Sequence, residues 1–484
     1  MHSTVLLRGW LAAPERHECF LVLQECPILK GKVIMNLFKT SLWTATVVSL
    51  ALTGVLHATT FYVDPAKGSP DNDGSADRPW RTVQEVFEGN LIRTHDKSGK
   101  IRNPNGPVKS GDTLLLRSGY HGEIYFRGAY NDDYITIAAQ KGHTPKVRRV
   151  FFSTASKWII RGLTVSPSFA PEYKRDRLIY VVDWGGASED FIIENNTLYS
   201  VPDGSLWSAE QWNEMMCYGI SVICKNVKIR NNTLKYVNHG ISASGENIVV
   251  ERNSIEHIAG DGIVCSANNT SLLYNTMKYF YNVNGNHDDG IQFHRGRDKT
   301  TPIVNAVVRG NRVIAWDSVK PSPLVHSPQG ICNFDIPAIN WRVENNLVLV
   351  QHHHGITIGG CQNGVVVNNI AYNPYGGRFF AGISLGTTHG KTTSKNSIVR
   401  NNIVDSKISC PPDENKVDHN IIVEDLGRFF RNPQAYDMHH KKDSSAIDAG
   451  SAASAPKTDI DGVKRPQGAG IDIGPYEYQE PSEP

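Results

Sequence analysis

The phrase GISV at residues 219–222 recurs as GISA (240–243), GIVC (262–265), GIQF (290–293), GICN (330–333), GITI (355–358) and GISL (382–385). Successive copies are 21, 22, 28, 40, 25 and 27 residues apart. Between them runs a second phrase, apolar at alternate positions and closing on asparagine: VKIRNNTL (227–234), IVVERNSI (248–255), VVRGNRVI (307–314), WRVENNLV (341–348), VVVNNIAY (365–372) and SIVRNNIV (397–404), with an earlier copy FIIENNTL at 191–198. Self-similarity at this period marks a solenoid. Alternation with period two makes each unit strands and turns, and no helical stretch separates the copies, so βαβ units are excluded. The leucine pattern of a leucine-rich repeat is absent. Three short strands per turn of roughly 22 residues predict an all-β chain wound as a right-handed parallel β-helix, each rung about 4.8 Å above the last. Asparagines at one corner of successive rungs then form side-chain amide ladders, which accounts for the asparagine excess without a function.

Stacking predicts which side chains meet. In each Gly-Ile strand the isoleucine and the residue two later point inward, and the residue between them faces out. The position before glycine gives the column Tyr218, His239, Asp261, Asp289, Gln329, His354 and Ala381. The outward row is Ser221, Ser242, Val264, Gln292, Cys332, Thr357 and Ser384. The longest intervals, around 268–289 and 295–329, flank one rung and are expected to wall a groove suited to a linear ligand.

Outside the repeat, residues 35–58 carry a basic residue, an apolar run (42–56) and a small residue at Ala58, the pattern of a secretory signal. The run is too short for a membrane span. Residues 1–34 are read as an upstream extension outside the mature protein, 59–408 as the β-helix, and 409–484 as a C-terminal segment packed on it. The protein is expected to be secreted or periplasmic, monomeric, and free of the membrane once the signal is cleaved. Its 50 basic and 48 acidic residues give a net charge of +2, which argues against a general polyanion surface and a nucleic-acid partner. Of eight cysteines, Cys19 and Cys26 fall before the mature start; the other six are scattered, lack metal-site spacing, and are expected to face the core.

Chemistry concentrates in HDDGIQFHRGR, 287–297. Asp288, Asp289, Gln292 and His294 leave one rung on the outward side, with Arg295 and Arg297 just beyond. Asp261 lies one rung below, His239 two below. A single Asp-Gly is a turn signal, but this convergence between two insertions points to a site. His352 to His354 do not suggest a metal, because alternation turns consecutive residues to opposite faces.

The Asp-Asp-Gly strand, preceded by GDGI (260–263) and followed by VVVNNIAYNP (365–374), resembles the family nine pectate lyases, and FYVDPAKGSPDNDGSADRPWRTVQEV (61–86) resembles the opening of secreted β-helix carbohydrate-active proteins, where a short helix forms an N-terminal cap. The first resemblance implies calcium held by Asp261, Asp288 and Asp289 and gripping a uronate carboxylate, with a lysine on a later rung removing the C5 proton. This sequence departs from it: Gln292 replaces a ligand aspartate and Cys332 stands where the lysine is expected. Another base is then needed. Removing a proton beside a carboxylate requires that carboxylate neutralised and a base of suitable pKa nearby. His294 is the first candidate and His354 the second; Arg295 and Arg297 are candidates to neutralise the uronate, Tyr281 and Lys320 to protonate the leaving oxygen, and His239 and Gln292 to bind substrate. GDGI, HDDGI and HHGITIGG (353–360) also resemble, in order, motifs of the family twenty-eight polygalacturonases. That resemblance implies hydrolysis by Asp261, Asp288 and Asp289, with the later Arg-Ile-Lys motif missing. The expectation is a carbohydrate-active enzyme cleaving an acidic polysaccharide by β-elimination, with hydrolysis as the alternative and a non-catalytic carbohydrate-binding β-helix as a third reading.

Overall fold

A computed structural model describes residues 58–317 and 319–480. The expected upstream extension, and the signal segment apart from Ala58, lie outside the described residues. The described chain is a parallel β-helix. Its largest sheet has 21 strands, a second has 13, and neighbouring strands in both are mainly parallel. The strands that matter for the site stack in order: β1 (Ile124–Ala129), β2 (Val150–Arg161), β3 (Arg177–Val182), β4 (Tyr218–Arg230), β5 (Ile241–Glu251), β6 (Ile263–Asn268), β7 (Asp289–Phe293), β8 (Gln329–Asn333), β9 (His354–Ile358) and β10 (Gly382–Ser384). Each pairs in parallel with the next.

The interior is filled by columns of one side chain per rung. Ile220, Ile241, Ile263, Ile291, Ile331, Ile356 and Ile383 form one, and Ile229, Val250, Leu272, Val308, Val343, Val366 and Val399 a second. A third runs through Leu234, Ile255, Met277, Val313, Val348, Ala371 and Val404. All are essentially inaccessible, and each fully buried aliphatic side chain stabilises by about 1.5–3 kcal/mol. The glycine of the Gly-Ile phrase is demanded by the corner it occupies: a Cβ on Gly219 would stand 2.2 Å from the Gly240 carbonyl oxygen, and one on Gly330 1.9 Å from that of Gly355.

The asparagine ladder is present and continuous. From Asn196 through Asn232, Asn253, Asn275, Asn311, Asn346, Asn369 and Asn402 to Asn420, each side-chain amide donates to the next Oδ1 at 2.9–3.1 Å. Where the phrase reads Asn-Asn, the first takes the left-handed conformation that turns the corner (φ 54–57° at Asn195, Asn231, Asn345, Asn368 and Asn401) and frees the second to point inward. A second ladder on the surface links Asn247, Asn269, Asn305 and Asn340.

Two short helices interrupt the strands. One, Val83–Glu88, sets Phe87 against Phe126, Phe152 and Trp158; the other, Ala209–Met215, buries Trp212 against Tyr281. Parallel pairing runs past the boundary read at residue 408, through Lys416–Asp418 and Ile421–Ile422. Beyond it, Phe430, Met438, Ile460, Ile473 and Tyr476 bury against Leu347, Leu349, Ile370 and Ile403 on the outside of the second sheet. The described cysteines are free, and all but Cys410 are buried. No helix among the described residues is long and apolar enough to cross a membrane.

Removing one buried ladder residue strands the donors and acceptors on both neighbours. Asn311→Ala is expected to cost about 1–3 kcal/mol in urea unfolding, and Asn340→Ala on the surface ladder much less; equal losses would show that the buried ladder contributes nothing special.

Candidate active site

The column before glycine forms as read. Arg177 pairs with Tyr218 and Asp289 with Gln329, and the Gly219, Gly240 and Gly262 amides donate to the carbonyls of His239, Asp261 and Asp289. Its far end differs: the register shifts after His354, which pairs with Gly382 in place of Ala381. Across this column and the outward row beside it lies an open cleft of about 590 Å³, lined by Arg177, Tyr180, Tyr218, His239, Ser242, Asp261, Asn286, His287, Gln292, His294 and Asp335 among others.

Three carboxylates sit at or beneath its floor. Asp261 is 4% exposed and accepts from the Asp289 amide at 2.8 Å. Burial, then the nearby Asp289, pushes its pKa up to about 8. Asp289 is fully buried; its Oδ2 accepts from Gln292 Nε2 at 2.9 Å and lies 3.6 Å from His287 Nδ1. Asp288, also buried, places Oδ2 2.9 Å from Nε2 of His326, on the short strand Val325–His326 of the long insertion. Burial raises the pKa of both.

The histidines divide into two kinds. His239 Nδ1 accepts from the Asp261 amide at 2.9 Å, and His294 Nδ1 accepts from the Gly296 amide at 2.9 Å. Burial lowers both pKa values, that of His239 to about 4. A neutral imidazole whose Nδ1 accepts carries its proton on Nε2, so both rings offer a donor to the cleft. His287 is the reverse: its side chain is 68% exposed, Nδ1 faces the Asp289 carboxylate, and that carboxylate raises its pKa. Its Nε2 is thereby left to accept.

The remaining expected residues are dispersed. Arg295 is turned away, donating to Asn268 Oδ1 at 2.9 Å and to the Pro302 carbonyl at 3.3 Å, and Arg297 is exposed on the following turn. Tyr281 has no exposure; its hydroxyl meets His257 Nδ1 at 2.9 Å and its ring packs on Trp212, so it cannot reach a leaving group. Lys320 lies over the Trp316 ring on the insertion. His354 belongs to a separate depression with His353, Arg378, Phe379 and Lys407. Cys332 is buried beside Asp289, not outward as alternation suggested.

Among the cleft residues that the sequence did not point to, Arg177 and His287 carry the most chemistry. Arg177 occupies the column one rung before the first Gly-Ile phrase, and its guanidinium is held between the rings of Tyr180 and Tyr218, 4.7 and 5.0 Å from their centroids. Its strand reads RLIY, so the repeat did not extend to it. His287 precedes its strand by two residues, where alternation assigns no face.

The carboxylates do not fit the calcium site that the resemblance implies. Their oxygens meet an amide N–H, a glutamine amide and a histidine, and the two unpartnered oxygens, Asp288 Oδ1 and Asp289 Oδ1, are buried and do not reach the cleft surface. Among the described residues no group of three or more His, Cys, Asp or Glu is arranged to hold a metal.

No family model matches this chain, and no curated protein matches it. Among solved structures, the pectate lyase Pel9A is 13% identical over 88% of this chain and 98% of its own, with a TM-score of 0.42. A rhamnogalacturonan lyase is 14% identical over 80% and 97%, TM-score 0.42, and XylC in complex with xylose 11% identical over 87% and 98%, TM-score 0.46. Likenesses of this degree leave the reaction to be argued from the site.

Asp261 holds its proton up to pH about 8 in the folded chain, whereas the unfolded chain loses it near 3.8. The folded state therefore binds more protons between those values, and stability falls as pH rises across that window. Asp261→Asn, permanently neutral, is expected to flatten this fall and to be more stable than the native protein at pH 9 in urea unfolding. Parallel pH profiles would show that Asp261 ionises normally.

Proposed function

We propose that this protein cleaves a uronate-containing polysaccharide by β-elimination in the cleft between Arg177 and His294. The observation that carries the reading is the pairing of His287 with Asp289 on one side of a cleft that also presents the Arg177 cation and the imidazole donors of His239 and His294. His287 Nε2 takes the C5 proton, and the buried Asp289 carboxylate steadies the imidazolium that forms. Arg177 neutralises the substrate carboxylate, so that the developing negative charge meets a fixed cation, with the Nε2–H groups of His239 and His294 as donors beside it. The electrons of the C5–H bond form the C4–C5 double bond, the C4–O4 bond breaks, and the Tyr218 hydroxyl supplies a proton to the leaving oxygen. No step is routed through calcium.

Hydrolysis is the second reading, and one observation favours it: Asp261 faces the cleft with its pKa pushed up to about 8, as a proton donor to a glycosidic oxygen requires. The base carboxylate is harder to find. Asp288 and Asp289 do not reach the cleft surface, and Asp335, which does, is committed to Lys299 and His389.

His287→Ala is expected to lower turnover by about 10²–10⁴-fold, the usual contribution of a positioned base. The rate should rise as His287 deprotonates, with an apparent pKa above the ordinary 6.5 because Asp289 favours the charged ring. Asp289→Asn should slow the reaction and move this limb to lower pH. An unmoved limb, or a fully active His287→Ala protein, would remove His287 as the base.

A further inference from the structure

On the two rungs before the cleft and its first rung, the outward row becomes aromatic. Tyr125 on β1 pairs with Phe151 on β2, and Phe151 with Tyr180 on β3, which pairs in turn with Ser221 in the cleft. The alternation is strict: the next residues, Phe126, Phe152 and Val181, point inward and fill the core, so these rings are surplus to it. Tyr125 stacks on Phe151 with centroids 4.8 Å apart and planes 18° from parallel. Trp184, on the turn after β3, stands 5.6 Å from Tyr180 and 6.0 Å from Phe151. Phe151 is the buried base of the group, while Tyr125 is 38% and Trp184 55% exposed. The Arg127 guanidinium lies over both Tyr125 and Phe151, and among the described residues no carboxylate is within ion-pairing distance of it.

Scattered exposed aromatics need no explanation, but a contiguous run of them beside a cleft marks a binding surface. Its direction identifies the occupant. The rings follow one another along the solenoid axis at about 4.8 Å per rung, in line with the cleft, and the stripe joins the cleft through Tyr180, whose ring also carries Arg177. A linear chain in the cleft continues over these rings. Flat apolar faces beside a guanidinium suit a sugar ring that presents C–H groups on one side and a carboxylate at its edge.

We infer that Tyr125, Phe151, Tyr180 and Trp184, with Arg127, form an extended binding platform for the part of an acidic polysaccharide chain that lies beyond the reacting sugar. This rests on the acidic-polysaccharide reading above, but not on elimination as the reaction. The platform makes the enzyme prefer long chains over short ones.

The test is affinity electrophoresis of the His287→Ala protein, which leaves the gel intact, through polygalacturonate, alginate, hyaluronan and, as a neutral control, a β-glucan. Retardation by at least one acidic polymer and not by the glucan is expected. The Tyr125→Ala/Trp184→Ala pair should weaken it about tenfold or more without moving the thermal midpoint, and Trp184→Phe, which keeps a stacking face, should retain most of it. Retardation unchanged in the double variant, equal retardation by the glucan, or none by any acidic polymer would overturn the platform. The two readings fail separately. A protein retarded through these rings that releases no unsaturated ends keeps the platform and loses elimination, whereas one that eliminates with retardation unaffected by the double variant does the reverse.

Discussion

Everything in this molecule depends on rungs stacking in register, and the buried asparagine ladder is the interaction that holds them there. Each ladder residue ties its rung to the backbone of the rung before and the side chain of the rung after, for example through Asn311 to the Leu272 carbonyl and to Asn346 Oδ1. A slip of one residue on any rung would break both contacts and turn its inward isoleucine out. The register is therefore specified twice, by apolar burial and by amide geometry. The cleft inherits that order, because a column of side chains one rung apart is a consequence of stacking and needs no loop to assemble it.

What the stacking supplies to chemistry is burial. The tight glycine corner draws the residue before it against the next rung, so Asp261 and Asp289 sit almost inaccessible, and Asp261 holds a proton that a surface carboxylate would release. The same closeness lends the Asp261 amide to the His239 ring, and the turn after β7 lends the Gly296 amide to His294, fixing both as donors. His239 also has a carboxylate nearby, with Asp261 Oδ2 3.4 Å from its Nδ1, but burial lowers that ring's pKa; His287, at the rim, is the cleft histidine whose pKa its carboxylate raises, and that distinguishes it as a base. Asp288 serves a different end, tying His326 of the long insertion to the rung.

The fold was legible because its signal is periodic: the Gly-Ile phrase, the Asn-Asn corner and the inward columns repeat many times, and each copy corrects the reading of the others. The column through His239, Asp261 and Asp289 followed from the same arithmetic. The site's chemistry was less legible, since it turns on contacts that occur once. Nothing in the spacing tells that Arg295 turns to Asn268 and Pro302, that Tyr281 is sealed against Trp212, or that Gly296 spends the Nδ1 lone pair of His294. Arg177 and the aromatic row were hidden for a simpler reason: their rungs keep the geometry of the repeat while losing its glycine.

The central claim is that the cleft removes a proton and expels a sugar without water. Ultraviolet absorbance during incubation of the purified protein with polygalacturonate, alginate, hyaluronan and a bacterial uronate-containing exopolysaccharide, each with calcium added, tests it most directly. The account predicts rising absorbance from an unsaturated uronate end on at least one of them. New reducing ends appearing with no rise in absorbance, or no product from any of the four, would contradict it.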